Sequence, residues 1–251
     1  MAAEPKKHKR EPKETQAQLF RGVSRAKDAL ERELTARHGH VAGLDEVGRG
    51  CLAGPVVAAA VILPLGAKIR GITDSKLLTP EKREKLDVEI RKQAIAIGLG
   101  VVEADEIDRV NILNASLEAM RLALEQLSIA PGFLLVDGVF RVSSPIPQQP
   151  IIKGDLKCRC IGAASIVAKV WRDRKMVELD AVHPGYGFRE HKGYGCKSHR
   201  DALAALGPTT QHRRSFSGVV PGGLPTPQTA MFADGGEAEI DDDEVVLKAT
   251  R

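Results

Sequence analysis

The sequence predicts an α/β fold, a sheet covered by helices, and three observations carry that prediction. Residues 56–63 form an unbroken apolar run between Pro55 and Pro64. A run that short, without alternation, suits a strand buried on both faces of a sheet. Two further apolar segments run into carboxylate-bearing turns, at Asp137-Gly138 and at Lys153-Gly154-Asp155. Segments with helical spacing separate these strands.

Taken in order, residues 1–16 are polar and rich in Lys and Glu, a composition expected to be disordered. Leu19, Phe20, Val23, Ala26, Leu30 and Leu34 then recur at helical spacing and predict an amphipathic helix of about four turns. It could dock on the core, or grip nucleic acid with Arg21, Arg25 and Lys27; the residues leave both open. From His40 the chain reads as a strand that carries Asp45 and Glu46 to its end. Gly48-Arg49-Gly50 follows as a glycine-rich turn, and the apolar run returns as a second strand.

Thr79 as N-cap and Pro80 at the first helical position mark a helix that runs to about Ala94. Residues 96–102 read as a third strand. A short helix opens at 105–107, and a longer one covers 114–127 with Leu117, Met120, Leu124 and Leu127 on its packed face. After the strand ending on Asp137 and the segment 150–155, Ile161, Ala164, Ala168 and Trp171 carry a helix. Its Gly162-Ala163-Ala164 stretch permits close approach to the sheet. Residues 183–195 read as a Gly- and Tyr-rich loop, followed by a short helix near 198–206. From Ser217 onward Pro, Gly and acidic residues dominate, and that tail is expected to be disordered.

The chain has 251 residues, 43% of them apolar, and a formal net charge of +4. Residues 1–37 hold ten Lys and Arg against six Asp and Glu, and residues 217–251 hold two against seven, which leaves 38–216 at +5. A mildly basic core suits a polyanionic ligand. Cys51, Cys158, Cys160 and Cys196 show neither disulfide-framework nor zinc-knuckle spacing. His183, His191, His199 and His212 are spread too widely to suggest a histidine metal site. No apolar run approaches the ~20 residues needed to span a membrane, and the Lys-rich start lacks the apolar stretch of a secretory signal. The expected setting is soluble, reducing and cytoplasmic.

Four carboxylates, Asp45, Glu46, Asp137 and Asp155, stand at or just beyond strand ends. Charge entering a core must be paired, and divalent cations take hard oxygen ligands. Two such ions can activate a water and stabilise the leaving oxygen of a phosphoryl transfer. An isolated Asp-Glu pair is also an ordinary solvated pair, so the residues alone leave a cation site and a surface cluster both open.

The run Asp45-Glu46-Val47-Gly48-Arg49-Gly50, continuing through Leu52-Ala53-Gly54-Pro55-Val56, resembles the signature of ribonuclease HII, the type 2 ribonuclease H family. Further blocks of that family follow in order. They are Asp74-Ser75-Lys76-Leu77, Asn111-Ile112-Leu113-Asn114-Ala115-Ser116, Val136-Asp137-Gly138 and Lys153-Gly154-Asp155. Next come Ala163-Ala164-Ser165-Ile166-Val167-Ala168-Lys169-Val170, His191-Lys192-Gly193-Tyr194-Gly195 and His212-Arg213-Arg214-Ser215-Phe216. The resemblance covers about residues 38–216. Cys196 departs from it, standing where the family commonly has Thr.

The resemblance implies a ribonuclease H-like fold with a mixed five-stranded sheet flanked by helices and a small helical C-terminal part. It divides the chain into an N-terminal extension (1–37), a catalytic domain (38–182), a substrate-gripping part (183–216) and an acidic tail (217–251). Asp45, Glu46, Asp137 and Asp155 would bind two Mg²⁺ or Mn²⁺ ions and cleave the phosphodiester. The substrates implied are RNA–DNA hybrids and DNA duplexes containing ribonucleotides, cut to 3′-hydroxyl and 5′-phosphate ends by a monomer. Gly48, Arg49 and Gly50 would read the 2′-hydroxyl, which distinguishes RNA from DNA. Tyr194 would stack under the neighbouring sugar, while Tyr186 would be structural. Lys76, Lys169 and Arg172 would contact phosphates, and Arg213 and Arg214 could serve either substrate or fold. Two alternatives stay open: a DNA nuclease of the same superfamily, which would cut all-DNA duplexes, and a silent hybrid-binding module, which would bind without metal.

Overall fold

The apolar run between the two prolines becomes the strand β2, Val56–Ile62, and every one of its residues is buried. It is the second strand of a five-stranded sheet in the order β3-β2-β1-β4-β5. The other members are β1 (Val41–Val47), β3 (Ala96–Val102), β4 (Phe133–Asp137) and β5 (Gln148–Ile151). β1 and β3 run antiparallel to β2, while β4 is parallel to both β1 and β5. The sheet is therefore mixed, as the resemblance implies. The computed structural model describes residues 29–220. The expectations for the first 28 residues and for most of the acidic tail lie outside them.

Helices cover both faces. Residues 29–38 are helical (α1). They are followed by α2 (Pro80–Gln93), α3 (Ala104–Val110), α4 (Ile112–Glu125), α5 (Gly154–Lys157), α6 (Arg159–Val182), α7 (Phe188–His191) and α8 (Lys197–Leu206). Thr79 caps α2 as predicted, its side chain accepting from the Lys82 amide. α7 interrupts the segment that reads as a loop in the sequence. None of the described helices is long and apolar enough to cross a membrane.

α4 packs through a face rotated from the one its leucines suggest: Met120 is buried as predicted, while Leu124 and Leu127 pack only at the edge of the core cluster. Its buried residues are Ile112, Ala115, Ser116, Ala119, Met120 and Ala123, with Leu117, Leu122 and Leu124 only half-buried. The reason lies in β3, where Gly98 and Gly100 face the helix. A Cβ on Gly100 would stand 1.9 Å from the Ala119 carbonyl oxygen. Alanine on glycine brings the helix backbone against the sheet, and larger side chains are displaced to the rim.

α6 is the other central support. It lies along β1 so closely that a Cβ on Gly43 would fall 2.2 Å from the backbone of Cys160. The C-terminal residues Phe188, Leu203, Phe216 and Val219 join the same apolar cluster as Leu44, Ala53 and Val56. Val219 is 1% exposed, so the packed chain continues past Phe216, where the sequence suggests that it ends.

Candidate active site

Successive strand residues face opposite sides, so the two carboxylates of β1 straddle the sheet. Asp45 lies with Gly43 on the α6 side, and Glu46 with Leu44 on the α4 side. β4 pairs with β1 so that Val136 is opposite Leu44. One step further along, Asp137 comes beside Asp45, with adjacent strands about 5 Å apart. Asp155 arrives from the first turn of α5 rather than from a strand end. The preceding amide, Gly154 N–H, donates to Asp137 Oδ1 at 2.7 Å and ties the two segments together.

All four carboxylates line one cavity, together with Gly48, Arg49, Gly50, Lys76, Lys169 and Tyr194. Asp45 is buried, and burial followed by the charges of Asp137 and Glu46 holds its carboxyl well above the usual range. A hydrogen bond from Ser165 opposes that rise. Burial, then Glu46 and Asp155, pushes Asp137 up to about 7, against amide bonds from Gly154 and Asp155. The Arg49 guanidinium reaches Glu46 Oε1 at 3.1 Å.

The cations of the cavity are held from behind. Lys169 Nζ lies 2.9 Å from Asp173 Oδ1 and 5.6 Å from the centre of the Tyr194 ring. Its amine is drawn below the ordinary lysine range by burial. Lys76 is exposed on a single 3-10 turn, and its amide is bound by the Asp74 carboxylate at 2.8 Å. Arg83 fixes that turn by donating to the carbonyls of Ser75 (3.0 Å) and Leu78 (2.6 Å). Tyr194 is 40% exposed, whereas Tyr186 is buried and its hydroxyl donates to the Gly207 carbonyl at 2.5 Å.

Arg172 is not part of this surface. It is fully buried, and its guanidinium donates to the carbonyls of Pro55 (2.8 Å), Lys192 (2.9 Å) and Ala53 (3.1 Å). A phosphate cannot reach it, because three backbone segments close over it. Arg213 is buried as well, and it donates to the Gly54 carbonyl twice and to that of Arg49 at 2.9 Å. The two arginines strap the turn after β1 from below. Gly48, at φ +95°, fits over them only because it lacks a side chain: a Cβ would stand 2.3 Å from Arg172 Nε. Arg214 is exposed, and its amide is bound by Asp108 at 2.8 Å.

Sequence reasoning missed Ser165, which joins Asp45 to the hydroxyl of Ser75 at 3.0 Å. Its signal was the i,i+4 spacing to Lys169, which places both on one face of α6. It also missed that three of the scattered histidines meet: the rings of His191 and His199 lie 4.4 Å apart, and those of His199 and His212 lie 5.3 Å apart.

Among the described residues no three His, Cys, Asp or Glu side chains already form a closed ligand set. The donor chemistry nevertheless fits hard divalent cations, since four carboxylates converge and repel one another. Glu46 is turned to Arg49.

A family model for ribonuclease HII matches residues 42–219. The ribonuclease HII of Geobacter sulfurreducens is 57% identical over 186 residues, covering 73% of this chain and 86% of that protein. That of Enterococcus faecalis is 46% identical over 207 residues, or 82% and 80% of the two chains. Among solved structures, ribonuclease H2 from Pyrococcus horikoshii superposes with a TM-score of 0.61 at 27% identity, over 72% of this chain and 95% of the other. The architecture, the clustered carboxylates and these similarities agree, and the chain belongs to the ribonuclease HII family of metal-dependent endoribonucleases.

Proposed function

We propose that the protein cleaves the RNA strand of RNA–DNA hybrids and incises DNA duplexes on the 5′ side of an embedded ribonucleotide, leaving 3′-hydroxyl and 5′-phosphate ends. The observation that carries this reading is the shared cavity of the four carboxylates, the Gly48-Arg49-Gly50 turn and Tyr194. It sets a hydrolytic centre beside groups able to test a sugar.

In this reading Asp45, Glu46, Asp137 and Asp155 hold two divalent cations, Mg²⁺ or Mn²⁺. The chemistry those cations supply when bound is a water of lowered pKa and a counter-charge for the leaving oxygen. The chain does the positioning. Ser165 orients the Asp45 carboxylate, and the Gly154 amide orients that of Asp137. The Gly48-Arg49-Gly50 backbone, strapped by Arg172 and Arg213, presents polar groups at fixed places to the 2′-hydroxyl. Lys76 and Lys169 neutralise flanking phosphates. The Tyr194 ring stacks under the adjoining sugar, so residues 183–216 contribute the duplex grip.

A labelled DNA duplex with one internal ribonucleotide, an all-DNA duplex and an RNA–DNA hybrid test the proposal in Mg²⁺, Mn²⁺ and EDTA. Metal-dependent incision 5′ of the ribonucleotide, abolished by Asp45→Asn, is expected. Cutting of the all-DNA duplex would overturn it.

A further inference from the structure

Behind Tyr194 lies a row of imidazoles whose protons are fixed by their partners. His199 Nδ1 is 2.9 Å from the Tyr194 carbonyl oxygen. A carbonyl only accepts, so Nδ1 carries the proton and, in the neutral ring, Nε2 is left as an acceptor. His212 Nε2 stands 3.1 Å from that atom and must donate. His212 Nδ1 is then bare, and it receives the Thr209 amide at 3.0 Å and the Thr209 hydroxyl at 2.9 Å. The Thr209 hydroxyl oxygen in turn accepts from the Gln211 amide at 3.1 Å. Every hydrogen bond in the row is satisfied with both rings neutral and in opposite tautomers. A proton added to either ring would set N–H against N–H.

The His199 and His212 rings are sealed from water, and the row ends on the site. His199 is 0% and His212 2% exposed, whereas the Tyr194 ring at the end of the row opens into the carboxylate cavity. His191 stacks on His199, its own tautomer fixed by the Gly193 amide at Nδ1 and the Tyr186 carbonyl at Nε2. The titratable groups around the pair are His183 and Tyr186 before α7, His191 on α7, and Arg200 on α8, with Arg213 next in the chain. Any charge these carry near neutral pH is positive, and burial pushes His212 down to about 4. The pair is thereby kept neutral.

We propose that the neutral His199–His212 pair is the positioning device for Tyr194, fixing its backbone carbonyl and so the placement of its ring against the sugar at a DNA–RNA junction. The proposal rests on the reading of Tyr194 given above. The pair touches no substrate and acts through Tyr194 alone, so its removal changes which duplex is preferred more than it changes hydrolysis itself.

The test is the ratio of kcat/KM on a single-ribonucleotide duplex to that on a uniform RNA–DNA hybrid, a ratio in which changes common to both substrates cancel. Tyr194→Ala is expected to lower the ratio at least tenfold. His199→Leu, which fills the space but cannot donate, is expected to do the same with hybrid cleavage changed less than threefold. His199→Asn, whose amide replaces the Nδ1–H donor, is expected to restore most of the ratio. An unchanged ratio in His199→Leu, with Tyr194→Ala defective, overturns the positioning role. An unchanged ratio in Tyr194→Ala itself overturns the reading of Tyr194, and the role with it. Long-range ¹H–¹⁵N spectra of the histidine rings in the unmutated protein give a check independent of any variant's folding. Nδ1–H on His199 and Nε2–H on His212 are expected at pH 7, and a charged ring or the reverse tautomers overturn the proposal.

Discussion

Asp45 lies beside Asp137 on the neighbouring parallel strand, and after burial the Asp137 charge is the largest influence raising the Asp45 carboxyl. The site is therefore an electrostatic liability in the metal-free protein. Asp137 titrates near 7 against an ordinary 3.8. In the metal-free protein the folded state thus holds a proton that the unfolded state has released. The resulting stability is present below about pH 4 and is lost as pH rises through 7. Asp137→Asn should accordingly abolish cleavage while raising metal-free stability at pH 8, by at most about 4 kcal/mol. Urea unfolding in EDTA measures this. A loss of stability would show that the Gly154 bond to Asp137 outweighs the repulsion.

Millimolar Mg²⁺ or Mn²⁺ should reverse that ranking. A ligand that binds only the folded state stabilises it by about 2.7 kcal/mol at a hundred times its Kd. The unmutated protein is expected to gain a higher unfolding midpoint on metal addition, and Asp137→Asn to gain little. Equal gains in both would place the cation elsewhere.

Much of this was legible in the sequence, for reasons that differ by residue. β2 announced itself because a strand buried on both faces carries no polar residue, and α2 because Thr79-Pro80 is a local capping signal. Asp45, Glu46, Asp137 and the Gly48-Arg49-Gly50 turn were readable because their positions follow from strand ends, whereas Asp155 stands in the first turn of α5 and was marked by the family resemblance. Arg172 was not. On a helix, three residues after Lys169, it reads as surface charge, and only carbonyls from residues 53, 55 and 192 show it to be a strap. The packed face of α4 was only partly legible for the same kind of reason, since its rotation towards the alanines is set by glycines on another element. Long-range backbone contacts leave no periodicity to read.

The two basic positions Lys76 and Arg172 should therefore separate cleanly. Lys76→Ala is expected to weaken duplex binding and flatten the plot of log affinity against log salt by about 0.9, the contribution of one phosphate contact. Arg172→Ala leaves buried carbonyls unpaired and should lower stability by more than about 3 kcal/mol. Protein that stays folded is expected to keep its salt slope. A flatter slope for Arg172→Ala would restore it to the binding surface.

Cys196 occupies the N-cap position of α8 in extended backbone, with no side-chain bond to the helix amides; its sulfur lies 3.1 Å from the Ser198 hydroxyl. A threonine hydroxyl there can accept an amide of the first turn, as sulfur does poorly. Cys196→Thr should raise stability by about 1 kcal/mol, read from the unfolding midpoint at constant m-value. No gain would mean that water already satisfies those amides.

The buried imidazoles impose a dependence on acid opposite in sign to that of the carboxylates. His212 titrates near 4 in the fold, below its ordinary 6.5, because burial and the neighbouring histidines disfavour its charge. Between those values the unfolded chain binds the extra proton, so this contribution to stability is complete above pH 6.5 and falls as pH drops towards 4. The span corresponds to about 3 kcal/mol at about 1.4 kcal/mol per pH unit. His212→Gln cannot titrate, so it isolates this contribution from that of the carboxylates. The stability difference between the unmutated protein and His212→Gln is expected to be constant above pH 7. It should shrink by about 3 kcal/mol as pH falls to 4. A difference that stays constant over that range would mean that His212 takes up its proton within the folded protein, and that the row behind Tyr194 is not held neutral by burial.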